Sequence, residues 1–344
     1  MELFVPGRIC LFGEHSDWAG GYRRDYPEIE KGYTLISGTN QGLYANVAPD
    51  PQLKMSSTLP DGTVWTGVLP MDKESLLREA QQGGHWSYIS GVAYQVQLRY
   101  PEIGGIAIDN FKTTLPIKKG LSSSAAISVL TARAFNRVYD LGLSIRDEME
   151  LAYLGEITTP SQCGRMDQGC AFGVRPILMT FDGDEMQVES VTIGAPIHLI
   201  IVDLHAGKDT PKILADLNQC YPEAKDACEA GVQRLLGTLN KAIVHDAIEI
   251  LNAGDGQALG ALMIKAQAAF DRYAIPVCPQ ELTSPVLHHL LAYEPLQPFV
   301  WGGKGVGSQG DGSAQFVAKS AEAQQQAIQM IERDLQMTCL PLTL

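Results

Sequence analysis

Residues Leu115–Ala126 read LPIKKGLSSSAA: a proline, a glycine and three consecutive serines that run into two alanines and an apolar, helix-compatible stretch. In that stretch Ile127, Leu130, Ala134, Val138 and Leu141 recur three or four apart, as on one face of an amphipathic helix. A turn of small residues feeding a helix N-terminus suits an anion. The first N–H groups have no intrahelical partner, and the helix dipole adds partial positive charge there. Serine hydroxyls at this point can cap the helix, bond phosphate oxygens or ligate a metal. Alone, the stretch reads equally well as an ordinary serine cap after a loop, and the rest of the chain breaks the tie.

With 344 residues and 45% hydrophobic content the chain can bury a sizeable core, and its length suggests two domains. A net charge of −13 and a pI near 5.0 argue against a nucleic-acid or anionic-membrane partner. An acidic protein can still bind phosphate, because local N–H groups and a few cations set that field. The cysteines (Cys10, Cys163, Cys170, Cys220, Cys228, Cys278 and Cys339) include no CxxC pair, which points to a reduced compartment without a disulfide framework or a zinc site. The N-terminal MELFVPGRIC lacks the basic-then-apolar pattern of a secretory signal. No apolar run approaches membrane-spanning length; even PIHLIIVDL carries His198 and Asp203. The expectation is a cytoplasmic protein.

Strand-like pieces fall at Glu2–Val5, Leu43–Val47, Ile106–Asn110 and Leu199–Val202, and Ile177–Ile193 looks like strands around an Asp182-Gly183-Asp184 turn. Helix-like pieces fall at Trp86–Leu98, Ala125–Leu141, Ile145–Leu154, Ile213–Leu239 (broken or kinked by Pro222), Lys241–Leu251, Gly256–Tyr273 and Ala321–Leu335. The mixture indicates an α+β or α/β protein. A boundary near Gly194–Pro196 divides it into domains 1–195 and 196–344.

Four constellations carry chemistry. The first, VPGRICLFGEHSDWAGG (Val5–Gly21), is dense in Arg8, Glu14, His15 and Asp17. Carboxylates accept paired hydrogen bonds from vicinal hydroxyls, so this set suits a polyhydroxylated ligand; the bland alternative is a solvated polar loop. The serine stretch is the second. The third, EITTPSQCGRMDQG (Glu156–Gly169), follows a helix-like segment and places Glu156 and Asp167 eleven residues apart. One carboxylate could hold Mg²⁺ while the other positions a hydroxyl nucleophile; otherwise they form a surface acidic pair. The fourth is GGKGVGSQGDGS (Gly302–Ser313). Gly305, Gly307 and Gly310 satisfy GxGxxG, but a strand rather than a helix follows, so a glycine-rich turn between two strands fits better than a dinucleotide site.

The chain resembles the GHMP kinases, galactokinases most of all. PGRICLFGEHSDWAGG, GLSSSAA and the Gly302–Ser313 turn stand in the family's order, CGRMDQG resembles galactokinase's CGxMDQ, and HWSYISG (His85–Gly91) resembles its WxxYxxG with His85 in the tryptophan slot. The resemblance implies the two-domain GHMP kinase fold, α+β, with an active site in the cleft between domains. It implies that Lys119, Gly120, Leu121, Ser122, Ser123, Ser124 and Ala125 contact ATP phosphates, and that Ser124 and Glu156 ligate Mg²⁺. Asp167 then orients the attacking hydroxyl with Arg8 beside it, and Glu14, His15, Asp17 and Gly164 contact the sugar. Phosphoryl transfer needs alignment and charge neutralisation more than covalent chemistry, which such a set supplies. The expected partners are ATP and a small sugar phosphorylated at an anomeric or nearby hydroxyl, with the protein a monomer or a homodimer.

The alternatives are a mevalonate- or homoserine-type kinase, against which GEHSDWAGG argues, and a sugar- and ATP-binding regulator without turnover, against which Asp167, Arg8, Glu156 and the serines argue. Three departures from the family stand out. Lys118 and Lys119 occupy positions where small residues are usual. The C-terminal turn is more polar than the usual GGxGGC. YRRDYPEIEK (Tyr22–Lys31) looks inserted, and its Arg23 and Arg24 suit either a charged surface excursion or recognition of an acidic sugar.

Overall fold

Strand β1 (Glu2–Phe12) runs well past the expected Glu2–Val5, straight through Pro6 and Gly7. Among the described residues it pairs with β2 (Gly32–Asp50) alone, and an edge strand tolerates a proline that cannot donate to a ladder. These strands belong to a computed structural model that describes residues 1–58, 62–115, 121–161 and 163–344. The chain forms two compact units, neither a single run of sequence: Met1–Arg8 with Gly38–Val174, and Ile9–Ser37 with Arg175–Leu344. Residues 9–37 and 175–195, placed by the sequence reading with the N-terminal part, therefore group with the C-terminal part.

In the first unit, Leu43–Asp50 of β2 pairs antiparallel with β5 (Gly105–Thr113). Strand β5 pairs parallel with β3 (Leu53–Thr58), and β3 pairs antiparallel with β4 (Val64–Leu69). Helices Lys73–Gln82, Ser87–Arg99, Ser123–Tyr139 and Ile145–Ile157 complete it. Two of them approach closely because Gly91 faces Gly155: a Cβ on Gly91 would lie 2.2 Å from the Gly155 carbonyl oxygen. The Ile145–Ile157 helix opens on a full capping box between Ser144 and Asp147.

In the second unit, Gly32–Ser37 of β2 pairs with β6 (Pro176–Asp182), which turns at Gly183 (φ +63°) into β7 (Glu185–Ser190), as the Asp-Gly-Asp signal predicts. A separate antiparallel sheet runs β11 (Thr338–Thr343), β8 (His198–Asp203), β10 (Ser313–Ala318), β9 (Val300–Gly305). Helix Ala321–Leu335 buries Ala327 and Ile331 in one core with Ile200, Val202 and Phe316. The glycine-rich stretch is the expected strand–turn–strand, not the turn of a dinucleotide fold. The predicted helix over Ile213–Leu239 is two: Thr210–Asn218, then Ala227–Arg234, continuing through a π-turn at Leu235–Leu239 into Asn240–Ala253.

Candidate functional site

In the first unit, four residues far apart in sequence converge. Strand β1 carries Arg8, whose backbone N–H donates to the Leu121 carbonyl (3.1 Å). Gly7 fits against Leu115 and Leu121, where a Cβ would clash. The Arg8 guanidinium forms an ion pair with Asp167, the first residue of a 3₁₀ turn (Asp167–Phe172). That turn is held from behind. Arg133, itself paired with Glu148 at 2.8 Å, donates to the Ala171 carbonyl (2.7 Å). Arg8 is almost fully buried and Asp167 a quarter exposed, so the pair presents its carboxylate side to solvent.

Glu156 closes the corner from the end of the Ile145–Ile157 helix. Its Oε2 accepts from Gln168 Nε2 at 2.7 Å, whereas its buried Oε1 has no hydrogen-bond partner among the described residues. Burial, reinforced by the charge of Asp167, pushes the Glu156 carboxyl from 4.5 up to about 7, and the Ser124 hydroxyl, the Gln168 amide and Arg8 act in the opposite sense. Tyr88 lies beside the same group, its phenol raised by burial. The neighbouring Cys170 thiol is fully buried and pushed up to about 12, which removes it from nucleophilic chemistry.

The serine stretch opens the Ser123–Tyr139 helix with one difference from expectation. Ser122 stands at the N-cap in the left-handed region (φ +55°, ψ +51°), and no side-chain cap hydrogen bond is made. A capping hydroxyl needs the extended backbone that Ser122 lacks, so the serines do not cap this helix. Ser122, Ser123 and Ser124 are half-buried, while Leu121 and Ala125 are buried. Lys118, Lys119 and Gly120 lie outside the described residues. Gly164 sits in the irregular stretch just before the Arg165-Met166 turn that leads into Asp167.

The second unit carries the other predicted set, Glu14, His15 and Asp17, all buried. Glu14 is ion-paired with the almost fully buried Lys304 of β9, a partner that no spacing in the sequence announces. His15 has a left-handed backbone (φ +66°) and a defined tautomer. The Trp18 indole N–H donates to Nδ1 (3.1 Å), so the proton resides on Nε2, which faces the Ser308 carbonyl at 3.3 Å. Burial pulls its pKa down to about 4, leaving a neutral donor. The π-turn anchors this segment: Ser16 Oγ donates to the Leu236 carbonyl (2.7 Å) and Asn240 Nδ2 donates to Ser16 Oγ (2.8 Å).

Within the same unit the Tyr22–Lys31 segment is tied down. Arg23 bonds Asp182 (2.6 Å) and the Pro27 and Ile29 carbonyls; Lys31 bonds Asp182 (2.7 Å), Arg24 bonds Asp184 (2.7 Å) and Lys241 bonds Glu30 (3.2 Å). Both arginines are engaged by the β6–β7 hairpin.

Comparison with known proteins finds relatives in both sequence and fold. Residues 87–174 match the GHMP kinases N terminal domain. The fold matches the crystal structure of Lactococcus lactis galactokinase complexed with galactose (TM-score 0.70, 18% identity, 99% of this chain and 92% of that one). It also matches Methanococcus jannaschii mevalonate kinase (TM-score 0.71, 16% identity, 99% and 97%). The solved structures share this chain's fold, and the segment 87–174 resembles the family's N-terminal domain. In sequence the chain is similar to galactokinase: that of Thermotoga maritima is 25% identical over 299 residues, 80% of this chain and 79% of that protein. No helix among the described residues is long and apolar enough to cross a membrane.

Proposed function

We propose that this protein is an ATP-dependent kinase that phosphorylates a monosaccharide at an anomeric or nearby hydroxyl. The observation that carries the reading is the convergence of Arg8, Ser124, Glu156 and Asp167 beside an N-terminus that no side chain caps. Leu121, Ser122, Ser123, Ser124 and Ala125 are assigned to the ATP phosphates, with backbone N–H groups as the donors. Lys119 and Gly120 belong to the same assignment.

A divalent cation fits this corner. The unmatched Oε1 of Glu156 and the Ser124 hydroxyl are hard oxygen donors, and a carboxyl raised by burial gains most from a nearby positive charge. When bound, Mg²⁺ neutralises phosphate charge in the transition state. Asp167 accepts or orients the proton of the attacking hydroxyl, and Arg8 holds its carboxylate in place. Glu14 and Asp17 accept from acceptor hydroxyls, the neutral His15 donates through Nε2, and Gly164 lets an acceptor approach the backbone before Asp167.

Galactose leads the candidates, because relatives named galactokinase match along four-fifths of the chain. The test is ADP release across a panel of neutral hexoses and uronic acids. Turnover of a neutral hexose with inert glucuronate and galacturonate removes the acidic-sugar version. ADP release with mevalonate or homoserine alone overturns the sugar reading, and binding of sugar and ATP without turnover makes the protein a regulator.

A further inference from the structure

Lys304 is the least expected charge in the molecule. Its side chain is about 2% exposed, and its Nζ meets the Glu14 carboxylate and donates to its neighbour's carbonyl, Gly305 O, at 2.8 Å. Three features fix it there. In the β9–β10 ladder Lys304 is opposite Gln315, and both reach the same stretch of chain: Gln315 Nε2 donates to the Cys10 carbonyl (2.8 Å), Lys304 to Glu14. The strand around it cannot shift, because a Cβ on Gly302 would lie 2.2 Å from the Gly260 carbonyl oxygen and one on Gly303 2.4 Å from the Phe316 ring. The next N–H, that of Gly305, donates to Gln267 Oε1 at 2.7 Å.

We infer that Lys304 is a positioning residue for acceptor recognition, one that fixes the Glu14 carboxylate as an ionised hydrogen-bond acceptor for a sugar hydroxyl. This rests on the sugar-kinase reading. A buried carboxylate without a counter-charge takes up a proton and becomes a poorer acceptor. With Lys304 in place the pair is neutral overall, rigid and acidic only where the acceptor docks. The class of group read at this corner is therefore a neutral hydroxyl, not a carboxylate or phosphate.

The experiment compares wild type with Lys304→Met, which keeps the length and removes the charge, across a monodeoxy series of the best sugar. Removing one partner of a buried charge pair should raise acceptor KM about 30- to 100-fold, with ATP KM unchanged and kcat lowered far less. Wild type should discriminate against one deoxy sugar, and Lys304→Met should lose that discrimination, which a purely structural lysine would not cause. If Lys304→Met folds poorly, Glu14→Gln/Lys304→Met keeps the site neutral and should fold, yet retain the raised acceptor KM. Wild-type turnover with acceptor KM unmoved in both variants overturns the inference alone. Absence of any sugar-dependent ADP release by wild type overturns the kinase reading and the inference with it.

Discussion

Replacing Glu156 by glutamine should make the protein's stability respond to pH in a way that isolates this one carboxyl. Burial and the Asp167 charge raise the folded-state value of Glu156 from 4.5 to about 7. Between those values the folded state holds a proton that the unfolded state has lost, so stability falls as pH rises through the interval. The size follows from the shift: at 1.36 kcal/mol per unit, Glu156 costs about 3 kcal/mol once pH exceeds about 7, and almost nothing below about 4.5. Glutamine keeps the shape and offers the Gln168 amide the same oxygen. Any cost of its extra N–H against the site, about 1–3 kcal/mol, is independent of pH. Urea denaturation without nucleotide or divalent ions, followed through Trp65 and Trp86 in the same unit, measures both proteins at each pH. The stability of Glu156→Gln minus that of wild type should climb by about 3 kcal/mol from about pH 4.5 to about pH 8, the titrations of groups remote from Glu156 cancelling. A difference that stays flat refutes the reasoning, because Glu156 would then be charged in the folded protein at no cost.

His15 gives the opposite sign. Its value falls from 6.5 to about 4 on folding, so its contribution is complete above about 6.5, and about 3 kcal/mol is lost as pH drops toward about 4; His15→Asn should flatten that acid limb in the same assay. Gly155→Ala places a Cβ 2.4 Å from Val92 Cγ2 and 2.7 Å from the Val92 backbone, so it should cost at least about 2 kcal/mol and, by displacing Glu156, lower kcat more than it raises acceptor KM. Arg23→Ala removes bonds to Asp182, Pro27 and Ile29; it should lower stability by about 2 kcal/mol in thermal melts and leave the ranking of sugars unchanged, a changed ranking being the result against it.

What the sequence discloses follows the range of each interaction. The Ile145–Ile157 helix, the Asp182–Asp184 hairpin and the strand–turn–strand at Gly302–Ser313 are set by neighbours in the chain, and each lies where the pattern of caps and glycines puts it. Asp167 and Glu156 could be set side by side in the sequence because one loop separates them, and Arg8 was set beside Asp167 only by the resemblance. Lys304 was not legible, since its partner is 290 residues away and a lysine among glycines looks solvated. The helix Lys73–Gln82 escaped notice because Leu76 and Ala80 alone are buried in it. The regrouping of residues 9–37 with the C-terminal half is likewise a product of tertiary pairing, chiefly Gly32–Ser37 against Pro176–Phe181, which no local composition records. The uncapped serine turn differs from expectation because Ser122 takes a left-handed backbone, which turns its hydroxyl away from the helix N–H groups.

The central claim is phosphoryl transfer to a sugar hydroxyl oriented by Asp167. ³¹P NMR of the purified protein with ATP, Mg²⁺ and galactose, and then the other hexoses, measures it directly. One equivalent of a new sugar-phosphate resonance should form for each ADP. Asp167→Asn should abolish that resonance, by about a thousandfold or more in rate, while nucleotide binding followed by calorimetry stays within about threefold of wild type. ADP formed without sugar phosphate, or an Asp167→Asn variant with near-normal turnover, would contradict the account.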